Sequence, residues 1–249
     1  MTSTSTGRWL RWTTGGLFLV GALAFAAAAT VLSSTFNWPD ILREPASVVL
    51  PAFVDGGTSL IWTWFATAWT YAILAVPILL LPAVLGRSDD PALRAATYLG
   101  ATSVVLSLIG FLRWVFVVPP LAHSYVTGDA TTKAAVEAAW TAQHQFGGAL
   151  LGEHLGELLA IGWSVTLCVI ILRIRVLPRW FGVAGLAVSA LYLLNQGDVL
   201  ATAVPGFPVW DLAGAIGSTA WGIWVAALGI TVLLRPAIPR RPAIAETGI

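Results

Sequence analysis

The densest chemistry in the sequence lies in one short run, Gly152-Glu-His-Leu-Gly-Glu157. On a helix His154 and Glu157 stand three apart and Glu153 and Glu157 four apart, so all three project from neighbouring faces. That spacing offers two metal ligands, His154 and Glu157, with Asp198 or His144 as a third. The run is not His-Glu-x-x-His and no cysteine pair accompanies it, so no metal set is assigned; a buried, hydrogen-bonded histidine is the commoner situation. Haem is disfavoured, because His144 and His154 share one helical segment and any other axial pair needs His123. Neither a Gly-x-Ser-x-Gly elbow nor a Cys–His pair points to a nucleophile. General acid–base chemistry stays open, with Glu157, His154 and Asp198 as the candidate catalytic groups. No cofactor is predicted.

These residues must be positioned by an unusual chain. Of 249 residues 57% are apolar and only 10% are charged, against about 25% in soluble domains. The mean hydropathy is +0.83. Disordered, collagenous and disulfide-stapled folds are excluded, since Cys168 is the single cysteine. A net charge of +1 leaves no basic face for nucleic acid. An all-α integral membrane protein remains, with the lipid bilayer as its environment.

A bilayer core of about 30 Å needs roughly 20 apolar residues per helix. Six segments qualify, about 15–34, 59–84, 92–118, 148–172, 181–196 and 212–234, within a single domain covering 1–249. Ten of the 13 basic residues fall at one end: Arg8, Arg11, Arg87, Arg94, Arg173, Arg175, Arg179, Arg235, Arg240 and Arg241. The positive-inside rule therefore places both termini, including the tail 235–249, in the cytoplasm. Arginine outnumbers lysine 12 to 1, which fits a GC-rich bacterial genome and a bacterial inner membrane. Thr131–Phe146 reads as an amphipathic interfacial helix, with Lys133, Glu137, Thr141 and His144 on one stripe and a kink at Gly147–Gly148.

Acidic residues are lopsided in the opposite sense. Nine of 12, and all three histidines, lie on the outer side, leaving only Asp89, Asp90 and Glu246 within. Counting 1.5 Å per residue from Arg173, Glu157 lies about 24 Å along the fourth span, with Glu153 and His154 at the boundary. Asn195 and Gln196 reach a similar depth on the fifth span before Gly197 breaks the helix and Asp198 follows. Arg113 reaches the same level on the third, about 28 Å from Arg94. An ionisable group there belongs in the bundle interior. Gly148, Gly152, Gly156, Ala160 and Ser164 form a small-residue stripe that admits a close neighbour. The Pro-rich segment Asn37–Gly57 and the apolar Val199–Pro208 are expected to fold back over the bundle mouth.

Asn37-Trp-Pro-Asp-Ile-Leu-Arg-Glu-Pro45, Leu112-Arg-Trp-Val-Phe-Val-Val-Pro-Pro-Leu-Ala122 and Gly152-Glu-His-Leu-Gly156 resemble a family of bacterial multi-pass membrane proteins known only as a domain of unknown function, DUF4386-like. The likeness spans nearly the whole chain and implies about six membrane helices, but no activity. Its three strings contain Asp40, Arg43, Arg113, Glu153 and His154, residues that the depth count also singles out or places outside.

The resulting expectation is a polar pocket at the outer face formed by Arg113, His154, Glu157, Asn195 and Asp198. Arg43, Asp40, Glu153 and His144 are further binding candidates, and Trp62, Trp64 and Trp114 the apolar walls. It suits an enzyme or binding protein for a lipid-like or isoprenoid ligand. The alternatives are a proton-coupled permease, against which the apolar inner halves count, and an accessory membrane subunit in which Arg113 pairs with Glu157. Protein partners are not indicated.

Overall fold

The computed structural model describes residues 3–210 and 212–234. Expectations for Asp211 and for the tail 235–249, with Arg235, Arg240, Arg241 and Glu246, lie outside the described residues. Everything regular among the described residues is helical: α1 (Ser3–Phe36), α2 (Ala46–Ala72), α3 (Ala75–Val84), α4 (Pro91–Phe116), α5 (Val118–Thr127) and α6 (Ala130–Gln143). A π-helical stretch (His144–Leu155) leads into α7 (Gly156–Ile174), followed by α8 (Arg179–Leu193), α9 (Gln196–Ala201) and α10 (Ala213–Leu234). Six continuous helical stretches are long and apolar enough to cross a membrane: 7–36, 46–84, 91–127, 130–174, 179–201 and 213–234.

Local chemistry sets the boundaries. Asp90 caps α4 by accepting from the backbone N–H groups of Ala92 and Leu93 at 3.0 and 3.2 Å, with Pro91 opening the helix. Asp129 caps α6 through Thr132 N–H at 2.8 Å, and that hydrogen bond holds its carboxyl below the usual range. The α7 chain leaves through Arg175 at φ 53°, a left-handed exit.

Two expected boundaries are corrected. The segment 46–56 is helical rather than a loop, and reverses at Gly57, where φ is 57° and ψ −156°. Without a Cβ, glycine takes this conformation without strain. The segment does fold back, because Val49, Leu50 and Phe53 are buried against Trp64 and Trp114. On the fifth span Gly197 lies inside α9, and the turn that ends α8 comes earlier, at Leu194 and Asn195. Pro208 returns over Gly197, whereas Val204, Val209 and Trp210 stay exposed.

Tryptophans serve two purposes. Trp9, Trp12, Trp62 and Trp180 are exposed, suiting the boundary of a bilayer. Trp64 and Trp114 instead stack at 4.7 Å with an interplanar angle of 4°, fully buried in a core that also holds Phe36, Phe53 and Trp140. Trp64 and Trp114 are thus core, not the walls of a pocket. A second core, around Trp163, Leu167, Phe181, Trp224 and Leu228, fills the other half of the bundle.

The small-residue stripe seats the fourth span on α4. A Cβ added at Gly152 would stand 2.8 Å from Gly110 Cα, and one at Gly156 would stand 2.8 Å from Ser107 Oγ. A Cβ at Gly148 would collide with the Arg113 guanidinium. Backbone cannot move aside as a flexible side chain can. Gly152→Val should therefore lower stability by about 1–3 kcal/mol, seen as a lower thermal unfolding midpoint in detergent. Gly162→Ala, whose Cβ would meet only Leu99 Cδ1 at 3.4 Å, should leave the midpoint within error.

Candidate functional site

Polar side chains gather at the end of the bundle where the 3-10 turn Asp40–Arg43 joins α1 to α2. They form three separate groups rather than one pocket.

The first is a fork. Arg43 donates from Nε and Nη2 to Asp198 Oδ2 at 2.9 and 2.6 Å, and from Nη2 to Glu153 Oε2 at 2.6 Å. The turn is thereby tied to the π-helical stretch and to α9. Burial lowers the pKa of the guanidinium, but the two carboxylates outweigh that and hold it above its ordinary value. Oε1 of Glu153 is buried with no hydrogen-bond partner. Asp40, in the same turn, is exposed and takes no part.

The second group joins α4 to the start of the π-helical stretch. Arg113 donates from Nη1 to His144 Nδ1 at 3.1 Å and to the His144 carbonyl at 3.3 Å, and from Nε to the Gly110 carbonyl at 3.1 Å. His144 Nε2 lies 2.9 Å from the Leu42 carbonyl. The carbonyl can only accept and the guanidinium can only donate, so His144 carries its proton on Nε2. Trp140 stacks on its ring at 4.9 Å.

The third group lies deeper. Glu157 accepts from Asn195 Nδ2 at 2.9 and 3.0 Å and from Gln196 Nε2 at 2.6 Å. Gln196 Oε1 in turn faces His154 Nδ1 at 2.6 Å. With the amide so oriented, His154 donates from Nδ1.

The partnerships differ from those that sequence spacing suggested. Arg113 meets His144, not Glu157. Arg113, Glu157, His154 and Asp198 do not converge on one space. The kink expected at Gly147–Gly148 falls within a π-helical stretch beginning at His144, where Glu153 reaches Arg43 while His154 and Glu157 both meet Gln196. Among the described residues no three His, Cys, Asp or Glu side chains are grouped to hold a metal ion. His154 and Glu157 turn instead to the side-chain amides of Gln196 and Asn195.

Between these groups and the turn opens a cleft of about 690 Å³, whose walls include Arg43, Glu44, Glu137, Trp140, His144 and Asp198. Glu137 also accepts from the Tyr125 hydroxyl at 3.0 Å. Sequence reading did not choose Glu137 or Trp140. The signal was present in the stripe Lys133, Glu137, Thr141 and His144, one turn apart.

Six helical stretches long and apolar enough to cross a membrane define a multi-pass membrane protein. A family described as "Domain of unknown function (DUF4386)" matches residues 13–229, and the chain belongs to it. No curated protein and no solved structure matches the chain.

The amides around Glu157 give a direct test of the third group. Asn195→Leu removes a donor shared by both carboxylate oxygens in a part-buried setting. A loss of about 2 kcal/mol is expected, measured as a lower unfolding midpoint, while Asn195→Asp should be worse through carboxylate repulsion.

Proposed function

We propose that this protein binds a lipid-like ligand whose cationic or zwitterionic head enters the cleft at the Arg43 end. One observation carries the reading. The cleft sets a single guanidinium, Arg43, against the carboxylates of Glu44, Glu137 and Asp198, and Arg43 is already committed to Asp198 and Glu153. The remaining field is negative and favours a positive group. Trp140 adds an aromatic ring of the kind that receives alkylated ammonium groups. Apolar helices beside the mouth suit the hydrocarbon part.

Binding fits better than catalysis here. Glu157, the strongest sequence candidate for a general acid or base, is saturated by two amides and does not line the cleft. A permease fits less well, because among the described residues the buried polar side chains in the far half of the bundle are hydroxyls such as Thr14 and Ser164. The proposed setting is a bacterial cytoplasmic membrane with the cleft facing outward. Arg8, Arg11, Arg87, Arg94, Arg173, Arg175 and Arg179 all lie toward the opposite end by helix connectivity.

Two measurements test this. In nanodiscs, a fluorescent long-chain quaternary ammonium should bind at least about tenfold more tightly than an alkyl sulfate of equal length, a difference near 1.4 kcal/mol. Glu44→Gln combined with Glu137→Gln should erase most of that preference; equal affinities in the unaltered protein would refute the reading. Orientation is checked by cysteine labelling in intact bacterial cells, where buried Cys168 gives little background. Thr202→Cys should react with a membrane-impermeant maleimide and Arg87→Cys should not.

A further inference from the structure

Arg113 is only 6% exposed. Its hydrogen bonds go to an imidazole nitrogen and two backbone carbonyls, all neutral, and no carboxylate lies within ion-pair distance among the described residues. A cation in such a place is ordinarily paired. A second polar group nearby lacks a partner: both Nε2 and Oε1 of Gln143 are buried without a hydrogen bond. An unmade bond at such a buried site is costly and favours a group that completes it.

Both residues line one groove of about 530 Å³ on the lipid-facing side of α4, walled by Val105, Ile109, Leu112, Phe116 and Phe146. The antiparallel pairing of Gly110 with Gly152 and of Arg113 with Gly148 places Gln143 about one turn beyond Arg113, toward the Arg43 end. From Val117 to Val105 the groove follows α4 for about 18 Å. The groove surface is almost wholly hydrocarbon; the Arg113 guanidinium and the Gln143 amide lie just beneath it near one end, and the rest runs toward the middle of the bundle.

We infer that this groove binds a single-chain fatty-acid carboxylate drawn from the bilayer. The carboxylate supplies the anion that Arg113 lacks and accepts from Gln143 Nε2 once that flexible side chain turns toward the groove, while the acyl chain lies along Leu112, Ile109 and Val105. A carboxylate offers two acceptor oxygens to a guanidinium, the strongest pairing available to it. The groove and the cleft lie on opposite sides of the Arg113–His144 hydrogen bond, and this inference does not rest on the cleft reading.

The test uses delipidated protein reconstituted into phosphatidylcholine nanodiscs and three radiolabelled probes of equal chain length: palmitate, palmitic acid methyl ester and hexadecan-1-ol. Palmitate should be retained at least about tenfold more than either of the others. Ile109→Trp, which fills the groove without touching a polar group, should reduce palmitate retention by a similar factor. Gln143→Leu should reduce it severalfold. Ile223→Trp, at a 65% exposed position on α10, should leave it unchanged. Equal retention of acid and ester, or full retention in Ile109→Trp, would overturn the inference. So would displacement of palmitate by an equal amount of phosphatidylglycerol. No ammonium probe is present, so failure here and failure of the cleft reading are separately visible.

Discussion

The contact on which the polar end of the bundle depends is one between two backbones. Gly110 of α4 and Gly152 of the π-helical stretch meet without side chains between them, and a Cβ on either would strike the other's Cα. In a bilayer, where lipid tails compete equally for apolar surface, such close approach supplies much of the force that holds helices together. It also fixes register. With Gly110 opposite Gly152, Arg113 must lie across Gly148, where only a glycine leaves room for the guanidinium. His144 is thereby brought within reach of Arg113, and Leu42 within reach of His144.

From that register follows the placement of Arg113, His144 and the turn that carries Arg43. Leu42 is held by His144 and its neighbour Arg43 by Glu153 and Asp198, so the turn between α1 and α2 is anchored from two sides. The ion pairs are partly exposed and each adds about 1 kcal/mol or less. Their value is geometric: one guanidinium joins a turn, a π-helical stretch and a short helix that are distant in sequence. Deeper, Glu157 exchanges water for amides, so its cost of burial is met by neutral donors rather than by a counter-charge.

The spans were legible because bilayer thickness imposes a length and an apolar run long enough to read directly. Close packing of the fourth span was legible too, because Gly148, Gly152 and Gly156 recur every four residues. Counting depth from Arg173 brought Glu157 and Asn195 to one level, and they do meet. Partnerships across the π-helical stretch were not legible. An i→i+5 turn holds more residues than an i→i+4 turn, so faces assigned at normal helical spacing rotate away from their true positions there. Glu153 reaches Arg43 while His154 faces Gln196, and spacing alone did not say which neighbour each would meet. Gln143 escaped notice for another reason: an uncharged amide in an amphipathic helix looks ordinary until its neighbours are known.

The excess of acid at the Arg43 end can now be divided by what each group does. Asp129 caps a helix, Glu157 is bound by amides, and Glu153 and Asp198 share Arg43. Glu137 receives the Tyr125 hydroxyl. Those uses explain why carboxylates are tolerated, but not why their charge goes uncompensated, since Arg43 is one cation between two anions. Nor do they explain the reverse imbalance at Arg113, a buried cation with only neutral partners. Folding alone would be served more cheaply by pairing the surplus anion with the surplus cation. The structure instead puts His144 beside Arg113, so that the carboxylates of Glu44, Glu137 and Asp198 border the cleft and the Arg113 cation lies beneath the groove on the other side; separated charge of this kind is what the two proposed ligand sites rest on, since it can select ligands by sign.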